Sequence, residues 1–177
     1  MRRAVFLDRD GVLNAALLDA RGRPLPPAGL EQLVILPGVP EACARLRAAG
    51  FLLIGCTNQP DIARGKTTAA AVAAINAAVV QAAGLIEMRL CPHDDADGCA
   101  CRKPRPGLLL AAAAAHGIDL RASWMVGDRW RDVAAGQAAG CRTIFIDRGY
   151  AEPPPDPPAD LLADGLPSAA EMILKWP

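Results

Sequence analysis

The chain has 177 residues, 52% of them hydrophobic but only 4% aromatic, enough for one domain whose core is packed mainly by Ala, Leu, Val and Ile. Nineteen basic and nineteen acidic residues cancel, which leaves no electrostatic footprint for a nucleic-acid partner and points to a small molecule instead. The apolar run from Ala4 to Leu7 is too short for a signal-peptide core, and Asn76, Gln81 and His116 interrupt the alanine-rich stretches before they reach membrane-span length. A cytoplasmic, monomeric protein with no membrane partner is expected, and there six cysteines argue for thiols or metal ligands over a disulfide framework.

In chain order, Ala4 to Leu7 reads as a strand buried on both faces that breaks off at Asp8, Asp10 and Gly11. Arg21 to Leu30 has no period and reads as loop. A helix is predicted over Glu41 to Ala49, stopped by Gly50, and a second strand over Phe51 to Cys56, ending on Thr57-Asn58-Gln59-Pro60. Thr67 and Thr68 can cap a long helix running to about Ala83, with Gly84 as its stop. Leu85 to Leu90 is a third strand, interrupted by Glu87 and Arg89. Residues 91 to 107 form a loop dense in Cys, Pro, Asp and Gly, followed by a helix from Pro106 to Ala115 that His116-Gly117 ends. A fourth strand, Trp124 to Gly127, runs into Asp128. A helix from Asp132 to Ala139 and a fifth strand from Thr143 to Ile146 follow. Within the last segment, 151–177, Pro153 to Pro158 is a surface excursion, Asp160 to Leu162 a short strand and Ser168 to Leu174 a short helix.

Strands alternating with helices predict an α/β fold, a doubly wound parallel sheet forming one domain over 1–177. Three strands end immediately before polar clusters: Asp8 and Asp10, Thr57 and Asn58, Asp128 and Asp132. In a parallel sheet these ends share one edge, where open α/β sheets bind ligands. Isolated surface turns would have no reason to converge there.

Asp8, Asp10 and Asp128 offer the oxygens that magnesium prefers, and magnesium takes the rest of its shell from water and substrate phosphate. The Thr57 hydroxyl, the Asn58 amide and the Lys103 ammonium can reach phosphoryl oxygens, a sufficient set for phosphoryl transfer. Cys91-Pro92-His93 and Cys99-Ala100-Cys101 are two ligand pairs across a five-residue loop, the spacing of a closed tetrahedral Cys3His zinc site with a structural role. Cys43, Cys56 and Cys141 sit in apolar contexts and read as core. His116 reads as a helix-end cap, and Trp124 and Trp130 as packing residues. Asp132 reads equally as an acid behind the metal or as a carboxylate favoured in the first turn of a helix.

With Asp8-Arg9-Asp10-Gly11, Thr57-Asn58-Gln59, Arg102-Lys103-Pro104 and Gly127-Asp128 in order on strand ends, residues 4 to 147 resemble the haloacid dehalogenase superfamily of phosphatases. The match is to the small, capless, zinc-containing branch that acts on heptose bisphosphates and histidinol phosphate. The resemblance implies a Rossmann-like fold without a large cap domain and a phosphatase of small phosphorylated metabolites, with a sugar bisphosphate preferred and histidinol phosphate second. It implies Asp8 as nucleophile and Asp10 as general acid and base. Magnesium would be held by Asp8, the Asp10 carbonyl and Asp128. Thr57 and Lys103 would steady the phosphoryl group, and Asn58, Gln59, Arg102 and Arg129 would line the substrate side. Two stretches depart from the heptose-type pattern: Ala15 to Asp19 stands where a Gly-Tyr-containing segment is usual, and Arg129 stands where lysine is usual. A non-catalytic phosphate-binding module on the same scaffold would have no need of both Asp8 and Asp10.

Overall fold

In a computed structural model describing residues 1–177, the first strand, β1 (Arg3–Leu7), feeds two cores at once. Val5 and Leu7 project into one and Ala4 and Phe6 into the other, as the two-residue period of a strand requires. All four are fully buried, so the unbroken apolar run is that of a strand covered on both faces. Phe6 lies among Ile54, Met125 and Leu109, and its truncation to alanine would cost about 3–5 kcal/mol.

β1 lies inside a six-stranded sheet whose other strands are β4 (Phe51–Asn58), β5 (Glu87–Cys91), β6 (Trp124–Gly127), β7 (Arg142–Ile146) and β8 (Leu161–Ala163). The order is β5-β4-β1-β6-β7-β8, with every neighbouring pair parallel. The chain steps outward from β1 through β4 to β5, then returns to the other side of β1 and steps outward through β6, β7 and β8. This reversal leaves a crevice at the carboxyl ends of β1 and β6, where Asp8 and Asp128 stand.

The helices α1 (Val39–Ala48), α2 (Ala69–Ala83) and α5 (Leu166–Lys175) cover the Val5/Leu7 face through Cys43, Leu46, Ile75, Val79, Ala169 and Ile173. The opposite face is covered by α3 (Gly107–His116), through Leu108, Leu109 and Ala112, and by α4 (Trp130–Ala139). Gly136 lets α4 approach the sheet: a Cβ there would lie 2.7 Å from side-chain carbons of Met125 and Thr143. Trp124 meets Trp176 edge-on at 5.2 Å with Arg142 stacked on both rings, which ties the chain end to β6 and β7.

Several boundaries differ from the sequence reading, each for a local reason. The segment expected to be loop carries a two-residue hairpin, β2 (Leu17–Leu18) against β3 (Pro24–Leu25), because the Asp19 carboxylate accepts from the Arg21 and Arg23 amides and closes the turn. The third strand is displaced to 87–91. Leu85 still bonds back to Val80 after the left-handed Gly84 cap, and Glu87 and Arg89 are tolerated because β5 is an edge strand. Thr68 caps α2 as expected, accepting from Ala71 N at 3.1 Å. The His116 ring does not cap α3; it lies 2.9 Å from Glu87 Oε1, and Gly117 ends the helix. α4 begins two residues early, with Asp132 accepting from the Arg129 amide at 3.0 Å. β4 runs on to Asn58, β7 starts at Arg142, and the final strand and helix occupy 161–163 and 166–175.

Candidate active site

β1 delivers Asp8 to the sheet edge, and the chain then curls so that Gly11 adopts a left-handed φ of +88°. Glycine is required there twice over, since a Cβ would also lie 1.7 Å from Asp128 Oδ2. The curl brings the end of β1 against the end of β6. Lys103, only 2% exposed, reaches in from the loop before α3 and donates to Asp8 Oδ1 and to the Cys56 carbonyl, each at 2.6 Å. Its ammonium also pairs with Asp132 Oδ1 at 2.6 Å. Burial alone would lower its pKa, but the charges of Asp132 and Asp8 outweigh that and hold it above the usual lysine range.

Asp132 therefore fits both descriptions open to it in the sequence: it sits in the first turn of α4 and also stands behind Asp8 as a second partner for Lys103. Gly127 makes room for it, because a Cβ at that position would lie 2.1 Å from Asp132 Cβ. Burial and the Asp8 charge raise the Asp132 carboxyl to about 6 against the pull of Lys103.

Asp10 is held by four donors from three side chains. Arg9 Nε and Nη2 grip its two oxygens at 3.1 and 3.0 Å, Asn14 Nδ2 reaches Oδ1 at 3.0 Å, and Gln59 Nε2 reaches Oδ2 at 2.8 Å. Gln59 also donates to Thr57 Oγ1 at 2.8 Å. The Gln59 amide thus donates to both Asp10 and Thr57, and the residue also lines the cavity described below. Asn58 lines the same cavity, and its amide pairs with the backbone of Lys103, donating to its carbonyl at 3.0 Å and accepting from its N–H at 3.1 Å. Asn58 is the last residue of β4 and Gln59 the first beyond it, so both sit at the carboxyl edge of the sheet.

Asp8, Asp128 and Asp132 bring carboxylate oxygens within 4.8 Å of one another, all buried. Both oxygens of Asp128 are buried without a hydrogen-bond donor, and Tyr150 faces the carboxylate without completing a bond to it. Burial, followed by the charges of Asp8 and Asp132, raises Asp128 well above the carboxylate range. One lysine against three clustered acids leaves an excess of negative charge, and orphaned oxygens in such a place suit a hard divalent cation. Asp8 and Asp128, the side chains expected to hold magnesium, are both in this cluster. The Asp10 carboxylate is not in this cluster, leaving only its backbone carbonyl for the part expected of it.

A cavity of about 390 Å3 opens above these groups. Asp8, Asp10, Thr57, Lys103 and Asp132 form its floor, and its rim carries Arg23, Arg64, Lys66, Arg102, Arg129 and Arg131 against Asp19, Asp61, Asp95 and Glu152. Arg102 donates to Asp95 at 2.7 Å, and Arg131 shares the same carboxylate at 3.1 Å. Arg129 is paired with Glu152, through Nε at 2.8 Å and also through Nη2. Arg102 and Arg129 thus line the cavity, each with an internal acid on it. Glu152 was missed because an acid in a loop has no pattern to mark it. Between β1 and α1 only the β2–β3 hairpin stands over this opening, so no large cap covers it.

Beside the cavity, Cys91 Sγ, His93 Nδ1, Cys99 Sγ and Cys101 Sγ converge within 4.8 Å, with contacts of 3.2 to 3.6 Å along five of the six edges. The edges of a tetrahedron around zinc with thiolate ligands are about 3.8 Å, close enough to these contacts that the four atoms could hold a metal ion. The six cysteines are all free thiols. The intervening turn is bolted outward, with Asp94 bonded to Arg64 at 2.6 and 2.7 Å.

Comparison with known proteins agrees with this geometry. The HAD-hydrolase-like family model matches residues 100–169. The D-glycero-β-D-manno-heptose-1,7-bisphosphate 7-phosphatase of Pseudomonas aeruginosa is 35% identical over 182 residues, covering 98% of this chain and 99% of its own. The enzyme of the same name from Pseudomonas putida is 35% identical over 178 residues, with coverage of 96% and 98%. The crystal structure of D,D-heptose 1,7-bisphosphate phosphatase from Bordetella bronchiseptica, complexed with magnesium and phosphate, superposes with a TM-score of 0.79 at 32% identity, covering 98% of both chains. A polar sheet edge carrying Asp8, Thr57, Lys103 and Asp128, on a capless parallel sheet, together with full-length similarity at this level, makes the chain a phosphatase of the haloacid-dehalogenase-like hydrolases, in the family of the heptose-1,7-bisphosphate 7-phosphatases.

Proposed function

We propose that this phosphatase removes the 7-phosphate of D-glycero-D-manno-heptose 1,7-bisphosphate, or the corresponding phosphate of a closely related sugar, through an aspartyl-phosphate intermediate. The observation that carries the reading is the placement of Asp8 and Asp10 on one cavity floor with different surroundings. Asp8 shares a cation with Asp132, whereas Asp10 is held by neutral amides and one guanidinium beside the opening. Asp8 attacks phosphorus and the P–O ester bond breaks, while Asp10 gives its proton to the leaving sugar oxygen. Water then adds to the phosphoryl group of the aspartyl phosphate, Asp10 takes its proton, and Asp8 is released with inorganic phosphate. Thr57 and Lys103 hold the phosphoryl oxygens in both steps.

Magnesium, held by Asp8, Asp128 and the Asp10 carbonyl, would neutralise phosphoryl charge and relieve the repulsion among the three buried acids. Zinc at Cys91, His93, Cys99 and Cys101 would be structural, because four protein ligands leave no open position. Its task is to hold the loop that delivers Arg102 and Lys103. The single domain acts as a cytoplasmic monomer on a small phosphorylated substrate.

The rim favours a second anion on the substrate, with six cations facing four acids. Histidinol phosphate brings an ammonium to the same place and is disfavoured by it. The test is phosphate release from heptose 1,7-bisphosphate, a hexose bisphosphate, the matching monophosphates and histidinol phosphate. The heptose bisphosphate should have the highest kcat/KM; preference for histidinol phosphate would overturn the assignment.

A further inference from the structure

Arg9 lies between the two reactive acids in sequence, yet its side chain has no part in the steps above. It is fully buried and one of the largest buried side chains of the molecule. A guanidinium in such a place must find acceptors for its donors. Nε and Nη2 take the two oxygens of Asp10, and Nη1 takes Asn76 Oδ1 at 2.7 Å, the shortest of the three bonds. Asn76 belongs to α2, where the other buried positions are Val72, Ile75, Val79 and Ala83. A lone buried amide on an otherwise apolar helix face costs helix propensity and desolvation, and its carbonyl oxygen meets the one guanidinium that grips Asp10.

The geometry follows from planarity. The Arg9 fork engages both Asp10 oxygens and so fixes the plane of that carboxylate, but two contacts to one group leave the fork free to swing with it. Asn76, bonded from a different element, supplies the third fixed point. We propose that Asn76 is a positioning residue of this phosphatase, which locks Arg9 and through it the orientation in which Asp10 exchanges protons with the leaving oxygen and the attacking water. The inference rests on the reading of Asp10 as general acid and base. With Asn76 unable to accept, Nη1 would seek another acceptor, and the guanidinium would turn, carrying the carboxylate with it. Asn14 and Gln59 would still hold one oxygen each, so Asp10 would stay in the site with its proton misdirected.

Asn76→Ala and Asn76→Asp decide the matter with two substrates, a sugar bisphosphate whose alkoxide leaving group needs a proton and p-nitrophenyl phosphate whose phenolate does not. Asn76→Ala should lower kcat on the sugar bisphosphate by roughly 10- to 100-fold, with KM within about two-fold, since misplacement of a catalytic group is felt in the chemical step. On p-nitrophenyl phosphate it should keep a nitrophenolate burst near the wild-type rate, followed by slow turnover, because water activation still needs Asp10. Asn76→Asp retains an acceptor for Nη1 and should stay within about three-fold of wild type on both substrates. If Asn76→Ala keeps both rates, or loses burst and turnover by one factor, the role is overturned; an Asn76→Asp variant as impaired as Asn76→Ala overturns it too. Should Asn76→Ala not fold, Asn76→Ser, which has a hydroxyl but lacks the reach, replaces it under the same criteria. Asp10→Asn separates the two levels: if it shows the leaving-group split and Asn76→Ala does not, only the role of Asn76 fails. Without a split in Asp10→Asn, the acid–base assignment fails first.

Discussion

Asp128→Asn should stabilise the protein in a chelator and destabilise it, relative to wild type, in magnesium. Asp128, Asp8 and Asp132 hold oxygens within 4.8 Å, and at an effective dielectric constant of about 20 each like-charged pair repels by roughly 3 kcal/mol. Protonation of Asp128 already relieves part of this, because its pKa is raised by burial and by those two charges. A neutral isostere should therefore gain about 2 kcal/mol in EDTA, or about 4–8 °C in Tm for a chain of this size. The pH dependence has a definite sign. A carboxylate whose folded pKa lies above its unfolded value binds more protons when folded, so wild-type stability in EDTA falls as pH rises through the folded value. The advantage of Asp128→Asn should thus grow with rising pH and vanish in acid, where the wild-type group is protonated in both states. In magnesium the order should invert, since the variant loses a ligand oxygen and most of the metal-dependent rise in Tm. Thermal melts of both proteins in EDTA and in magnesium at several pH values read this directly. A variant less stable than wild type in EDTA, with an undiminished magnesium shift, would refute the placement of the cation among these acids.

Purified protein should carry close to one zinc per chain by metal analysis, and stripping it should deprotect the amides of residues 91 to 103 in hydrogen exchange before the sheet opens, with activity falling because Lys103 follows Cys101 by two residues. Full activity in a zinc-free preparation would contradict this. Arg102→Ala should reduce the preference for a bisphosphate over its monophosphate by about 10- to 100-fold, the worth of one charged hydrogen bond, while sparing p-nitrophenyl phosphate. Asp95→Asn should move that preference the other way, because Arg102 and Arg131 lose the internal acid they share; unchanged selectivity in both variants would confine Arg102 to its own loop. Gly127→Ala, whose new Cβ must displace Asp132, should cost about 1–3 kcal/mol by overpacking and lower kcat in magnesium well beyond what its Tm implies. A stable variant with full kcat would remove Asp132 from the support of Lys103.

What could be read from the chain was whatever carries its own period or punctuation. β1 was legible because four apolar residues stop at an acid, and α2 because Thr68 opens it and Gly84 closes it. The reactive edge followed from parallel topology, which places Asp8, Thr57 and Asp128 together however the loops run. The β2–β3 hairpin was not legible, since two residues a strand show no alternation and its turn depends on one carboxylate, Asp19. Side-chain direction was the other loss. Asn58 and Gln59 could be placed at the right edge, but nothing in the chain shows that their amides bond to the Lys103 backbone and to Asp10 and Thr57. Asn76 looked like an interruption in an alanine-rich run, and its meaning depends on a residue 67 positions away.

The sheet ends at β5 on one side and β8 on the other, and an open edge is a template for another chain. With acidic and basic residues in equal number, little net repulsion keeps two molecules apart at neutral pH. The charges that made β5 look doubtful as a strand act here: Glu87 and Arg89 bond to each other at 2.8 Å, and Glu87 also meets His116. A neighbouring strand could add itself to β5 only by stripping water from these charges. At the far edge β8 is only three residues long and offers a short ladder. Neutralising Glu87 and Arg89 together should therefore lower the concentration at which the protein precipitates while changing its folding stability by no more than about 0.5 kcal/mol.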